Sequence, residues 1–185
     1  LTDRLLAGLI ERNREMTARA LERGSLCSMR MEQWLKSWWS SVKLEYMKEE
    51  SDMYSAYAKT VLLSWNNRIL FAHIIKKYHN CARRVEEITE GCTPAMANEV
   101  FEDIMARGDF CNVFHSIPYD GMLPEGAWQD LLELNSFLTG NGIDGIEQAD
   151  LQHVLEDTVL MSRREIRGQF TTPPPLAEFL CQISV

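Results

Sequence analysis

Apolar residues recur at helical spacing along most of this chain. Leu5, Leu6, Leu9 and Ile10 open an amphipathic helix expected to run to Arg23, with Gly24 as its stop. A second helix is expected from Ser28 or Met29 through Trp34, Leu35, Trp38, Val42 and Tyr46. A third, longer one is expected over about Ser51 to Tyr78, through Tyr54, Tyr57, Ala58, Val61, Leu62, Trp65, Ile69, Leu70 and Ile74. Thr93-Pro94 reads as a helix start, with Thr93 capping and Pro94 at the first position, where no N–H is needed. That helix turns Val100, Ile104 and Met105 inward until Gly108. Ile117 to Gly126 has the proline and glycine content of a loop. A helix from about Ala127 to Leu138, a glycine-rich turn from Gly140 to Gly145, and a helix from Ile146 or Glu147 to Leu160 complete the series. No sustained period-two alternation occurs, so strand content should be small. The expected fold class is mainly α, an irregular helical bundle without internal repeats.

Composition narrows the class without naming a chemistry. A chain of 185 residues with 45% hydrophobic content can bury the core of one ordinary domain. No apolar run approaches the roughly 18 residues of a membrane span. The first residues, Leu-Thr-Asp-Arg, have no signal-peptide character, and the absence of an initial Met suits a piece of a longer protein. Cysteines 27, 81, 92, 111 and 181 are odd in number and irregular in spacing, so a disulfide framework is not expected and a reducing cytoplasm is. Trp34 and Trp38 lie one helical turn apart on a shared face, with Trp39 pointing elsewhere. Core packing is the default for such a pair, with a docking surface as the alternative.

Charge is segregated behind the net value of −8. Between Lys59 and Arg84 stand six basic residues (Lys59, Arg68, Lys76, Lys77, Arg83, Arg84) and no acidic one. From Val85 to Leu160 there are sixteen acidic residues against one basic, Arg107, a net of −15. Arg163, Arg164 and Arg167 then restore positive charge. If the protein meets nucleic acid, phosphates belong at Arg68, Lys76, Lys77, Arg83, Arg84, Arg163, Arg164 and Arg167 and away from the acidic block. The plainer reading of the 59–84 run is one solvated face of a long helix.

The segment Gly168-Gln-Phe-Thr-Thr-Pro-Pro-Pro-Leu-Ala-Glu-Phe179 has its own physical logic. Leu176, Phe179, Leu180 and Ile183 form the apolar stripe of a helix expected to begin near Pro174 or Pro175. A capping Thr172 would bond the N–H of the second or third helical residue. Those residues would be Pro174 and Pro175, which have no N–H, so the Thr172 hydroxyl is free for another partner. The segment resembles the Gly-x-Phe-x-Thr-Pro entry to the catalytic domain of N(6)-adenine-specific DNA methyltransferases, which include type I modification subunits and fused restriction–modification enzymes. Asn67-Arg-Ile-Leu-Phe71 and Leu151-Gln-His-Val-Leu-Glu156 resemble further helical patterns of that family. The resemblance is sharpest over Gly168 to Phe179, where Thr171 stands at a position often aromatic in the family.

The resemblance implies a helical N-terminal domain over 1–160. Over 161–185 it implies a linker and first helix leading into a Rossmann-like methyltransferase domain. It implies that Gln169, Phe170, Thr171, Thr172 and Pro173 help hold S-adenosylmethionine in the intact enzyme, with DNA and a specificity or restriction subunit as partners. The family's glycine-rich loop and its Asn/Asp-Pro-Pro-Tyr/Phe tetrapeptide do not occur among these residues; His115-Ser-Ile-Pro-Tyr119 lacks the amide and the second proline. These residues are therefore expected to support cofactor and DNA binding without catalysing transfer alone, since a flipped base needs such a pocket. Histidines 73, 79, 115 and 153 and the cysteines show no paired zinc spacing, and Thr139 to Leu151 fails as a calcium loop. A non-catalytic helical adaptor that binds a protein partner is the alternative.

Overall fold

Almost every side of one central helix is covered by protein. The computed structural model describes residues 2–46, 52–108 and 110–142, and in them the central helix is one of six α-helices, packed with one 3₁₀ helix. They are α1 (Thr2–Cys27), α2 (Met29–Tyr46), α3 (Met53–Ile75), η1 (Asn80–Glu87), α4 (Pro94–Arg107), α5 (Cys111–Phe114) and α6 (Glu125–Asn141). There is no strand among the described residues, and the mainly α fold follows. The expected helix over 146–160, Arg163, Arg164, Arg167, the Gln169–Pro173 segment and the 161–185 unit lie outside the described residues.

The central helix is α3. Its buried residues include Tyr57, Val61, Leu62, Trp65, Arg68, Ile69, Ala72 and His73, which lie on several sides of the cylinder. A helix that is apolar all round belongs inside a protein. Asp52 caps it, accepting the Ser55 N–H at 2.8 Å. At the same end, the α1 residue Ser25 hydrogen-bonds the Tyr54 hydroxyl at 2.9 Å. This joins the end of α1 to the start of α3, so the two helices, which share a long interface, run antiparallel. Trp34 and Trp38 of α2 pack edge-on against Tyr57, with ring centroids 5.1 and 4.7 Å away. Both serve the core as the default reading holds. Trp39 turns aside to Tyr46, 6.1 Å away at the rim.

Several element boundaries follow the sequence. Thr93 caps α4 by accepting the Met96 N–H at 3.3 Å, Pro94 takes the first position, and Gly108 follows the last turn. Gly24 differs, because α1 continues through it to Cys27. A Cβ at Gly24 would lie 2.2 Å from Met122 Cε and 3.2 Å from the sulfurs of Met122 and Met31. The glycine admits two thioethers to the helix surface instead of ending the helix.

The 3₁₀ segment η1 carries no α-period signal. With three residues per turn, side chains at i and i+3 eclipse. Ala82, Val85 and the following Ile88 thus fall on one line, and all three are buried. The loop between α5 and α6 is strapped to α3. The Tyr57 hydroxyl donates to Pro118 O, and Trp65 Nε1 donates to Asp120 O at 2.9 Å. Between those anchors Tyr119 holds φ at +63°, a left-handed conformation rare for a bulky residue. Its ring rests 5.6 Å from Trp34.

Candidate functional site

Arg68, read from sequence as a phosphate contact, is not at the surface. It is fully buried. Its Nη2 pairs with Asp120 Oδ2 at 2.8 Å and its Nη1 donates to Asn98 Oδ1 at 2.7 Å. Asn98 Nδ2 closes the triangle on Asp120 Oδ1 at 3.2 Å. The guanidinium lies over Trp65, 3.9 Å from the ring centroid. Burial lowers the Arg68 pKa, while the Coulombic attraction and hydrogen bond of Asp120 oppose that shift. In this fold Arg68 ties α3 and α4 to the strapped loop, and is corrected from a surface cation to a buried one.

The remaining described cations of the basic run divide. Arg84 is half-buried, bridging Glu87 at 2.9 Å and Asp103 of α4 at 2.8 Å. Lys76, with a side chain 15% exposed, pairs with Glu86 at 2.9 Å. Lys77 and Arg83 are exposed. Acidic residues that sequence places in a separate block thus fold back onto the basic run, because η1 and α4 pack beside the end of α3. The charge segregation along the chain is partly cancelled in space.

A second buried polar cluster is one that sequence spacing does not reveal. His73, near the end of α3, is 1% exposed. Its Nε2 lies 2.8 Å from Asn135 Oδ1 of α6, and its Nδ1 lies 3.0 Å from Lys76 Nζ. Asn135 Nδ2 donates to Val85 O at 2.9 Å and to Ile88 O at 2.8 Å. With both amide protons spent, Asn135 presents an acceptor to His73, so the imidazole carries its proton on Nε2. Lys76 then donates to Nδ1, and each group donates to the next. Desolvation chiefly lowers the His73 pKa, Lys76 lowers it further, and Asn135 and Glu86 act the other way. The imidazole is therefore held neutral.

Beside this cluster a cleft of about 340 Å³ opens between η1 and α6. Glu86, Glu90 and Glu133 stand on its walls, Ile88 and Leu132 supply apolar surface, and Thr89, Ser136 and Thr139 supply hydroxyls. A groove of about 260 Å³ between α1 and α6 is lined by Leu9, Arg12, Asp130, Leu134 and Phe137 among others. Among the described residues no group of three or more His, Cys, Asp or Glu side chains is placed to hold a metal. No described helix is long and apolar enough to cross a membrane. Elsewhere Asn66 is fully buried with neither side-chain polar atom hydrogen-bonded.

Of the residues that sequence reasoning selected, the structure places Arg83 and Arg84 on η1, with Lys76 beside it at the end of α3. It places Arg68 in the interior. Gln169, Phe170, Thr171, Thr172 and Pro173, with Arg163, Arg164 and Arg167, lie outside the described residues. His73, Glu86 and Asn135 were missed. Only the i, i+3 spacing of His73 and Lys76 is visible in the chain, and such a pair is commonplace on helices. Comparison with protein-family models, with curated proteins and with solved structures gives no match for this chain.

Proposed function

We propose that this chain is the helical N-terminal part of an S-adenosylmethionine-dependent adenine-N(6) DNA methyltransferase of a restriction–modification or related defence system. The observation that carries this reading is the Gly168-Gln-Phe-Thr-Thr-Pro173 segment, with Pro174 and Pro175 leaving the Thr172 hydroxyl no capping partner. Gln169, Phe170, Thr171, Thr172 and Pro173 would contact the cofactor, which supplies an activated methyl group for the exocyclic amine of adenine. The helical bundle would act as a rigid support, its interior tied by Arg68 and Asp120. Phosphate contacts would fall to Lys76, Lys77, Arg83, Arg84, Arg163, Arg164 and Arg167, and Lys76 and Arg84 would leave Glu86, Glu87 and Asp103 to make them. In a cytoplasmic enzyme of this kind, a specificity or restriction subunit would be the protein partner.

One test is genetic and biochemical together. The residues encoded after Val185 should form a strand, a glycine-rich loop and an Asn-Pro-Pro-Tyr or Asn-Pro-Pro-Phe tetrapeptide. The protein carrying them should transfer labelled methyl from S-adenosylmethionine to duplex DNA, with a Thr172→Val variant binding the cofactor more weakly. An encoded sequence without those elements sinks the reading. Duplex DNA titrated onto the 185-residue chain at two salt concentrations tests the cations separately. Affinity should fall with salt, and each phosphate contact removed from Lys77, Arg83 or the three arginines should reduce the log–log slope by about 0.9. Absent or salt-independent binding removes the phosphate claim.

A second reading has a specific observation behind it. Glu86, Glu87 and Asp103 neutralise Lys76 and Arg84 within the fold, and the adjoining cleft carries carboxylates. A non-catalytic adaptor with a basic protein partner accounts for that surface. Such an adaptor would bind no cofactor and show no salt-dependent DNA affinity.

A further inference from the structure

His73 stands where three elements meet: its own α3, η1 through Glu86, and α6 through Asn135. Every proton in the chain of bonds from Lys76 to the η1 carbonyls has one direction. Lys76 Nζ donates to His73 Nδ1 across 3.0 Å, and His73 Nε2 donates to Asn135 Oδ1 across 2.8 Å. Asn135 donates onward to Val85 O and Ile88 O. Its second proton can enter the ring only at Nδ1, the atom that Lys76 occupies. Protonation would set two cations against each other at that distance and leave a donor facing a donor.

We propose that His73 is a proton-sensitive latch for the η1 wall of the cleft: protonation at Nδ1 displaces Lys76 and frees η1 from its seat between α3 and α6.

The charged groups facing the imidazole define how the latch responds. Lys76 comes from α3 itself and Glu86 from η1, with Arg83 beyond it acting on Glu86. From α6 the facing group is the uncharged Asn135. Among the described residues, the anion acting on His73 is Glu86, already 2.9 Å from Lys76 and 43% exposed at its side chain. Turning Glu86 inward takes it off the cleft wall and strips Lys76 of its partner. Failing that, water must reach Nδ1, which requires η1 to lift. Either response changes the wall built by Glu86 and Ile88, and what holds η1 against it is the Arg84–Asp103 bridge to α4 and the buried Ala82 and Val85. The eight residues of η1 are 3₁₀, a hydrogen-bond geometry poorer than that of an α-helix. The latch uses none of the residues from Gln169 to Pro173 and stands apart from the methyltransferase reading.

The test uses amide hydrogen exchange and histidine NMR on the full 185-residue chain. Between pH 7 and pH 5.5, the Ile88 and Ala82 amides, bonded to Val85 O and His79 O, should lose protection by about tenfold, the change expected for roughly one unit of titration. Rates are corrected for intrinsic exchange. The Ala97 amide of the α4 cap should hold its protection. His73 nitrogen shifts should report the Nε2-protonated tautomer and a midpoint below that of free imidazole. His73→Gln preserves one donor toward Asn135 and one acceptor toward Lys76 without a titrating group, and should abolish the pH-dependent loss. Lys76→Met removes the opposing cation, and should raise the midpoint and shrink the pH-dependent loosening even where the glutamine variant folds poorly. The proposal is overturned by an Nδ1-protonated tautomer or by a midpoint at or above the free value. It is equally overturned by unchanged loosening in His73→Gln, or in Lys76→Met.

Discussion

Arg68 Nη2 meets Asp120 Oδ2 at 2.8 Å across 52 positions of sequence, with both side chains almost entirely out of water. Asn98 bonds to both partners, so the pair is a closed three-residue knot. It fastens the loop before α6 to the central helix at the point where Trp65 also holds the Asp120 carbonyl.

Removing one partner of such a pair leaves the other buried and uncompensated, which costs about 3–5 kcal/mol. Asp120→Ala and Arg68→Ala should each show a loss of that order in urea unfolding. The double variant Arg68→Met/Asp120→Leu should be less destabilised than the sum of its single changes, because neither charge remains stranded. Additive losses would show that the pair is not coupled as its geometry requires.

Asn66 leads in the opposite direction. Both polar atoms of its side chain are buried and unbonded, and an unsatisfied group of this kind costs about 1–3 kcal/mol. Asn66→Leu, similar in size and apolar, should raise the melting temperature by about 2–4 °C per kcal/mol recovered in a chain of this length. A fall in melting temperature would mean that the amide contributes to stability in solution.

Acid should weaken the fold in two stages. The folded His73 pKa is lowered, mainly by burial, so the unfolded chain takes up the proton first. Stability contributed by neutral His73 is complete above about pH 6.5, the free value, and declines as pH falls from there toward the depressed folded value. Glu86 and Glu87 are also lowered, through hydrogen bonds from Lys76 and Arg84 respectively. Their contribution is complete above the ordinary value of 4.5 and is lost as pH falls through the lower folded one. Urea midpoints measured in steps from pH 8 to 3 should resolve both stages. The lower one, from exposed pairs, should shrink in high salt, while the upper should disappear in His73→Gln.

Gly24 tests whether close packing, and not termination, is the reason for a glycine inside α1. Alanine is favoured over glycine in a helix interior by about 1 kcal/mol. With Met122 in place the new methyl must push aside the thioether end, 2.2 Å away. Gly24→Ala should therefore stabilise a Met122→Ala background by about that amount and gain less in the wild-type chain. Equal gains in both backgrounds would remove the packing role.

Local signals were legible where the chain states them locally. The Thr93-Pro94 cap, Gly108 after α4, the start of α2 and the inward pair Trp34 and Trp38 all depend on residues within a few positions of one another. The signal for η1 was present as Ala82, Val85 and Ile88 at a spacing of three, which does not match an α-helical search. Gly24 misled because a stop and a close-packing site call for the same residue.

Charge and polar partnership were not legible in the same way. The basic run from Lys59 to Arg84 reads as one face only if α3 has a face to spare. Whether it has one depends on how many neighbours surround it: α4 and the loop before α6 cover the side on which Arg68 lies, and η1 and α6 that of His73. By itself the sequence determined that the chain makes helices, where most of them start, and which cations and apolar residues it has to place. Tertiary structure decided which cations are spent inside, because only the approach of distant elements can supply Asp120 to Arg68 or Asn135 to His73. The physical reason is that a helix period is set by bonds four residues apart, whereas burial and ion pairing are set by whatever the fold brings alongside.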